Sequence, residues 1–213
     1  MQNMMKFYSK DSNRAAIHAM PGHFATTSTH FNYYIDLNTL KTRKNEAEEV
    51  ARVLRMKINM LPFVDTIICM DGTEVIGTLL AEQFEQNHFM TNNVHETIYV
   101  ISPEETSRYE IIFRDNNKGA MHGKHVVILL ATVTTGETLR RTLEAVHYYG
   151  GIVEGIASVF TMIDELDGYP IHSVFHQEDI PAYQAFHPIE CPFCQKGQKI
   201  DAMVNRFGYS KID

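Results

Sequence analysis

A hydroxyl-rich turn joins an apolar segment to a helical one in HVVILLATVTTGETLRRTLEAVHYYGG, residues 125–151. Amides at the start of a helix can point towards an anion, threonine hydroxyls add donors, and a glycine lets the backbone approach closely. The turn therefore predicts a phosphate-binding loop, with a threonine turn that only caps the helix as the alternative. The predicted loop residues are Thr132, Val133, Thr134, Thr135, Gly136, Glu137 and Thr138.

Two cysteines near the carboxyl end of the sequence, Cys191 and Cys194, have the Cys-x-x-Cys spacing of zinc knuckles. One such pair supplies two ligands, so a closed zinc site needs two more from elsewhere in the chain or from a second subunit. His187 lies nearby in sequence, and the remaining histidines are scattered without a metalloprotease spacing. Two reduced thiols in a tight turn are the alternative to a zinc site.

Composition sets limits on the class of protein. The 213 residues are 44% hydrophobic and 21% charged, as in an ordinary globular domain. The net charge of −7, without a lysine- or arginine-rich block, argues against broad nucleic-acid binding. No apolar run reaches the roughly 18 residues of a membrane span, and the first residues lack the apolar core of a signal peptide. Together with the three cysteines, these features predict a cytoplasmic protein that binds neither nucleic acid nor membrane.

The predicted loop lies in a part of the chain where predicted helices and strands alternate. Apolar spacing predicts helices at 44–60, 74–84 and 138–149, and strands at 63–70, 95–101, 125–131 and 152–160. Continuous apolar strands that alternate with helices indicate a parallel sheet covered on both faces. In such folds ligands bind beyond the carboxyl ends of the strands, which is where the loop 132–138 would lie.

Several segments together resemble one family. The apolar strand, the Thr-Thr-Gly-x-Thr turn and the helix that ends at Gly-Gly resemble the substrate loop of type I phosphoribosyltransferases. HFNYYIDLNTLKTR (30–43), IICMDGTEVIGTLLAEQF (67–84) and ECPFCQKGQKID (190–201) resemble, in order, segments of the orotate phosphoribosyltransferases. The resemblance implies one domain over 1–213 with a doubly wound, mainly parallel α/β sheet as its core, at about 41–169. It also implies a small hood from about 1–40 and 170–213.

The resemblance also implies an activity and its parts. In the family, a phosphoribosyl group passes between 5-phosphoribosyl 1-diphosphate (PRPP) and orotate, Mg²⁺ bridges substrate oxygens, and a homodimer lends mobile basic loops across its interface. His30 is the nearest cation for the carboxylate of a pyrimidine-like base. The residues at the position of the family's pyrophosphate loop are Asp71, Gly72, Thr73 and Glu74. The basic residues in the segment that would form the mobile loop are Arg108, Arg114 and Lys118.

The charged groups depart from the family pattern in four segments. Leu130 and Ala131 replace two adjacent acids that hold ribose hydroxyls and oppose the positive charge of the reacting ring. The pyrophosphate loop has acids where the family has a lysine, and the mobile loop and base segment lack the usual basic residues. Removing one well-placed electrostatic stabiliser typically lowers the rate by about two to three orders of magnitude.

Two functional hypotheses follow. The first is an orotate phosphoribosyltransferase-like enzyme that uses PRPP and a pyrimidine-like base, which the resemblance favours. The second is a catalytically inactive regulatory protein that binds a phosphoribosyl compound or nucleoside monophosphate through the loop 132–138. The residue chemistry supports this second hypothesis nearly as strongly as the first.

Overall fold

The computed structural model describes residues 4–58, 61, 63–86, 97–205 and 207–212. None of the helices in these ranges is long and apolar enough to cross a membrane. The α-helices are α1 (Asn38–Thr42), α2 (Lys44–Lys57), α3 (Glu74–Gln86), α4 (Glu137–Tyr148) and α5 (Pro192–Gln195). The first seven strands are β1 (Met5–Ser9), β2 (Ser12–Ala25), β3 (His30–Asp36), β4 (Thr66–Cys69), β5 (Tyr99–Ile101), β6 (Glu104–Glu105) and β7 (Ile111–Ile112). The others are β8 (His125–Val133), β9 (Ile152–Thr161), β10 (Glu165–Leu166), β11 (Tyr169–His176), β12 (Ala185–Phe186), β13 (Ala202–Asn205) and β14 (Gly208–Lys211). Short 3₁₀ helices cover Asp115–Ala120, Gln177–Asp179 and Pro188–Glu190.

The core sheet has the strand order β10-β11-β9-β8-β4-β5, and its neighbours are parallel except for β10 with β11. Alternate residues of β8 belong to different cores because successive side chains of a strand point to opposite faces. Val127 and Leu129 pack in the core that contains α2 and α3, whereas Val126 and Ile128 pack in the core that contains α4. The predicted doubly wound parallel sheet is confirmed. Its central strand β8 is apolar from Val126 to Ala131, where both of its faces are buried.

The hood is a second sheet, with the strand order β12-β3-β2-β13-β14 and β1 paired to β2. β2 and β3 form an antiparallel hairpin, and β13 joins β2 in parallel, so both ends of the chain build the hood. The predicted hood boundary at about residue 170 is wrong by one strand. β11 pairs in parallel with β9 through Ile171 and Ile156, and its buried Val174 and Phe175 belong to the main core. The C-terminal part of the hood therefore follows His176.

Most predicted elements occur, with shifted ends. β4 is confined to Thr66–Cys69, α2 ends at Lys57, and β8 extends to Val133. The predicted strand 95–101 is described only from residue 97, and its paired part is Tyr99–Ile101. The turn-rich connection 102–124 contains the β6–β7 hairpin and a 3₁₀ turn. This connection brings its first residues to the carboxyl ends of the core strands.

Candidate functional site

A cleft of about 1030 Å³ lies between the carboxyl ends of the core strands and the hood. A space of about 300–1000 Å³ is typical of small-molecule sites, so a nucleotide-sized ligand fits. The core contributes the ends of β4 and β8, and the hood contributes one aromatic wall. That wall is formed on β3 by Phe31, Tyr33 and Tyr34, and the facing loop contributes Tyr109.

The phosphate-binding loop lies at the end of β8, and α4 starts at its last residues. Gly136 precedes the helix with φ 83° and ψ 0°, a left-handed conformation that glycine adopts without a steric penalty. A Cβ atom on Gly136 would lie 3.0 Å from Cδ1 of Leu166 and 3.3 Å from Cδ1 of Ile163. Both the backbone conformation and the packing therefore require glycine, and the tight turn aims the first amides of α4 into the cleft.

The threonines of this loop do not act as helix caps. No side chain caps α4, and within the described chain no hydrogen bond engages the hydroxyls of Thr134, Thr135 or Thr138. All three residues line the cleft, so their hydroxyls are available to a ligand. This arrangement disfavours the capping alternative, which requires a hydroxyl to accept from an amide of the first turn. Val133 is buried, so it offers the loop only its backbone.

Arg141 is a cation beside the loop that sequence analysis did not assign to the site. It lines the cleft, and its Cζ atom lies 5.5 Å from the ring centroid of Tyr109. Its partner Glu137 is exposed and also pairs with Arg140. Arg140 instead reaches Asp167 at 3.2 Å, away from the cleft. Arg141 could have been found in the sequence, because residues three apart on a helix share a face and Thr138 is three residues earlier.

Of the four residues 71–74, which were predicted at the position of a pyrophosphate loop, three line the cleft and one is buried. Asp71 and Gly72 have positive φ values of 56° and 79°, and both line the cleft with Glu74. Thr73 is fully buried, and its hydroxyl donates to the main-chain oxygen of Met70 at 2.8 Å. Thr73 therefore holds the turn together and does not offer its hydroxyl to a ligand. Glu74 accepts a hydrogen bond of 2.7 Å from Ser102.

Lys41 of α1 supplies the cation that this segment lacks in sequence. Its Nζ atom donates to the main-chain oxygen of Asp71 at 2.8 Å and would lie 3.8 Å from a Cβ atom on Gly72. Burial lowers the pKa of Lys41, while the nearby carboxylates of Asp71 and Glu74 act in the opposite direction. The amine therefore places a cation beside this loop, although it comes from a separate helix.

The basic residues proposed for a mobile loop lie away from the cleft lining. Arg114 donates to Glu104 through Nε at 2.7 Å, and Lys118 pairs with Asp115 at 2.7 Å beside a separate surface cavity. Arg108 is exposed in the turn between β6 and β7. The same connection instead presents to the cleft Ser102, Pro103, Glu105 and Tyr109.

The prediction that His30 faces the ligand is wrong for this geometry. Thr29 and Phe31, the residues before and after it, line the cleft, whereas His30 does not. The His30 side chain is buried, and its Nδ1 atom lies 3.1 Å from Nε2 of His23 and 3.4 Å from Sγ of Cys194. His187, the histidine nearest in sequence to the cysteine pair, is exposed and lies outside this group.

Three solved structures illustrate the proteins to which this chain is similar. The chain matches the orotate phosphoribosyltransferase of Mycobacterium tuberculosis, solved with inorganic phosphate, at 19% identity and a TM-score of 0.51 over 69% of this chain and 79% of that one. It matches the UMP synthase of Leishmania donovani at 20% identity and a TM-score of 0.55, over 75% of this chain and 34% of that one. The adenine phosphoribosyltransferase of Thermoanaerobacter pseudethanolicus matches at 18% identity and a TM-score of 0.52, over 68% and 88%. The chain has a phosphoribosyltransferase fold.

No protein-family model and no curated protein matches the sequence. The likeness to the solved structures therefore concerns the phosphoribosyltransferase fold alone. The mycobacterial enzyme has also been solved with PRPP. The solved structures include enzymes for different bases, so the fold leaves the choice of base to the residues of the cleft.

In this chain, the two residues just before the phosphate-binding loop are apolar. Leu130 and Ala131 line the cleft and are 1% and 4% exposed. Carboxylates line other parts of the cleft, at Asp36, Asp71, Glu74, Glu105 and Glu137. Among the described residues no three of these carboxylates bring their oxygens to a common point.

Proposed function

We propose that the protein binds a phosphoribosyl compound in this cleft, with the 5′-phosphate on the loop Thr132 to Thr138. The observation that carries the proposal is the open set of hydroxyls on Thr134, Thr135 and Thr138 at the start of α4. A phosphate oxygen accepts strongly from hydroxyls and from the first amides of a helix. Arg141 adds a positive charge at the same end of the cleft.

The aromatic wall of the hood suits the base of such a compound. Tyr34 packs against Tyr209 with ring centroids 4.8 Å apart, and burial raises the pKa of Tyr34 to about 12. Its phenol therefore stays protonated at neutral pH and can donate a hydrogen bond. Planar bases stack on aromatic rings, and Phe31 and Tyr33 provide further ring surface.

The charges of the cleft favour the binding of a monophosphate. They disfavour the binding of a diphosphate and rapid transfer from it. The phosphate loop offers neutral donors, whereas the opposite end presents the carboxylates of Asp71 and Glu74. Like charges a few ångströms apart repel one another in a partly buried site. The buried Leu130 and Ala131 offer no charge to an oxocarbenium-like ring. We therefore favour a regulatory protein that binds a nucleoside monophosphate or related phosphoribosyl compound.

One observation favours a second candidate, a phosphoribosyltransferase that uses a pyrimidine-like base. Lys41 lies beside Asp71 and can offset the negative charge that would repel a diphosphate. In this candidate PRPP would bring Mg²⁺ on its own oxygens, because the cleft does not supply a set of converging carboxylates. A homodimer and a cytoplasmic location remain predictions under both candidates.

Calorimetry and a turnover assay together separate these candidates. Ribose 5-phosphate, ribose, orotidine 5′-monophosphate and PRPP with Mg²⁺ would each be titrated into the protein, and consumption of orotate would be followed with PRPP. We expect binding of the phosphorylated compounds, none of ribose, and no turnover. Turnover with PRPP would support the transferase, and equal affinity for ribose and ribose 5-phosphate would contradict both candidates.

A further inference from the structure

We propose that His23, His30, Cys191 and Cys194 form a zinc site that fastens the C-terminal part of the hood to its N-terminal hairpin. One ligand atom from each residue lies within 4.8 Å of the others. The two histidines come from β2 and β3, and the two cysteines flank the start of α5. This group lies apart from the proposed phosphate site, and its zinc content does not depend on what the cleft binds.

Four of the six separations between the donor atoms are close to the edges of a zinc tetrahedron. Zinc binds sulfur at about 2.3 Å and imidazole nitrogen at about 2.0–2.1 Å, which places tetrahedral ligand atoms about 3.3–3.8 Å apart. Nε2 of His23 lies 3.1 Å from Nδ1 of His30, 3.4 Å from Sγ of Cys191 and 3.7 Å from Sγ of Cys194. Nδ1 of His30 lies 3.4 Å from Sγ of Cys194. The two remaining separations, from Sγ of Cys191 to Nδ1 of His30 and to Sγ of Cys194, are at most 4.8 Å, so a metal ion fits between these atoms after shifts of up to about 1 Å.

The hydrogen bonds of His23 occupy its Nδ1 atom, so its Nε2 atom can bind a metal ion. Its Nδ1 atom lies 3.1 Å from the main-chain oxygens of both Gln198 and Lys199, which are acceptors only. Nδ1 therefore carries the ring hydrogen, and Nε2 presents a lone pair to His30 and the cysteines. Histidines that bind zinc usually donate their other ring N–H to a carbonyl or carboxylate in this way.

The surroundings hold His23 in place. Phe193 stacks on its ring with centroids 5.1 Å apart and an interplanar angle of 26°. Its backbone N–H donates to Oδ2 of Asp201 at 2.7 Å, and the N–H of Asp201 donates back to the His23 carbonyl at 2.8 Å. Cys191 is fully buried, whereas Cys194 is exposed and leaves a path for a metal ion to enter. The ligands are thus positioned by the fold before a metal binds.

Zinc explains this group better than cysteine chemistry alone. Two thiols in a tight turn, or a disulfide between Cys191 and Cys194, do not account for two imidazoles converging on the same point from other strands. Two thiolates and two imidazoles in a tetrahedral arrangement are a ligand set that zinc prefers. The two thiolate charges also neutralise the charge of Zn²⁺, which suits a site with three buried ligands.

The site would stabilise the wall of the cleft. Thr29 precedes His30 and lines the cleft, and Val204 of β13 lines it from the other side. β13 pairs with β2 through Ala202 and Phe24, one residue beyond His23. A metal bound between these segments would fix the C-terminal part of the hood against its N-terminal hairpin without contacting the ligand of the cleft.

Metal analysis of the purified protein tests the site. We expect about one zinc ion per chain by plasma mass spectrometry, and a loss of at least about tenfold in Cys194→Ser and in His23→Asn. His187→Asn is the matched control, because His187 is exposed near the cysteine pair but outside the group. After the metal is removed under reducing conditions, Co²⁺ added to the wild type should give the visible and thiolate charge-transfer bands of a tetrahedral site.

The Co²⁺ titration of the wild type does not depend on the folding of any variant. An octahedral Co²⁺ spectrum without thiolate bands would overturn the proposal. Full zinc content in Cys194→Ser would overturn it as well, and so would a wild type isolated without zinc and with a Cys191–Cys194 disulfide that still fails to bind Co²⁺ after reduction.

Discussion

Nζ of Lys41 lies 2.8 Å from the main-chain oxygen of Asp71, so the short helix α1 brings a cation to a loop of the core sheet. The sequence places these two residues in different segments, and only the fold joins them. Asp71 also has a left-handed backbone, with φ 56°, which costs energy for a residue other than glycine. Both Lys41 and Asp71 line the cleft.

Replacing Lys41 with methionine should weaken PRPP binding more than ribose 5-phosphate binding. The change removes the positive charge at the carboxylate end of the cleft, while the phosphate loop keeps its donors. We expect about a tenfold loss of PRPP affinity, which corresponds to about 1.4 kcal/mol. Calorimetry of both ligands measures the difference. Lys44→Met is the control, since Lys44 is exposed on α2 and pairs with Glu48, and equal losses for both ligands would contradict this role.

Replacing Arg141 with glutamine should weaken the binding of ribose 5-phosphate. A hydrogen bond to a charged group contributes about 1.5–3 kcal/mol when it is formed in a partly buried site, so we expect a loss of at least about tenfold. The matched variant is Arg140→Gln, because Arg140 directly precedes Arg141 on α4 but pairs with Asp167. If the Arg140 variant loses as much affinity as the Arg141 variant, Arg141 has no specific contact with the phosphate.

Replacing Gly136 with alanine should abolish measurable phosphate binding. The new Cβ atom would meet Leu166 at 3.0 Å, and the left-handed backbone costs about 1–2 kcal/mol for a residue other than glycine. The loop must therefore shift. Gly168→Ala separates the two effects, because Gly168 has φ 84° but nothing within 4 Å of its Cβ position. Thermal unfolding of both variants shows the shared backbone cost, and only Gly136→Ala should lose ribose 5-phosphate binding.

Glu49 of α2 should make the stability of the protein depend on acid pH. Hydrogen bonds from Arg52, and then from Ser12, lower the pKa of this carboxyl, although burial acts against them. A lowered pKa contributes stability above the unfolded-state pKa, and this stability is lost as the pH falls through the folded-state value. Glu49→Gln should therefore reduce the free energy of unfolding at neutral pH and flatten its acid dependence in denaturant titrations. Glu48→Gln, at an exposed position, should keep the wild-type dependence.

The strand, loop and helix around residues 125–148 could be predicted from sequence because their signals are local. A buried central strand requires a continuous apolar run, and Gly136 precedes the first turn of α4 in a conformation that few other residues adopt. The apolar residues Leu130 and Ala131 are also visible in the sequence as a departure from the resembling family, which has two adjacent acids just before its phosphate loop.

The contributions of Lys41 and His23 could not be predicted in the same way. Each depends on which face of its element meets another segment, and the relevant neighbours are distant in sequence. The prediction for His30 failed for this reason, because its side chain is buried beside Cys194, which is distant in sequence. The zinc ligands illustrate the same limit, since two strands and a C-terminal turn must pack together before their side chains meet.

A crystal of the protein soaked with ribose 5-phosphate shows whether the loop 132–138 holds a phosphate. We expect the phosphate to bind between β8 and α4, with its oxygens within hydrogen-bonding distance of the hydroxyls of Thr134 and Thr135 and of the first amides of α4. An empty loop with the sugar phosphate bound elsewhere, or threonine hydroxyls turned into the protein, would contradict the proposed phosphate site.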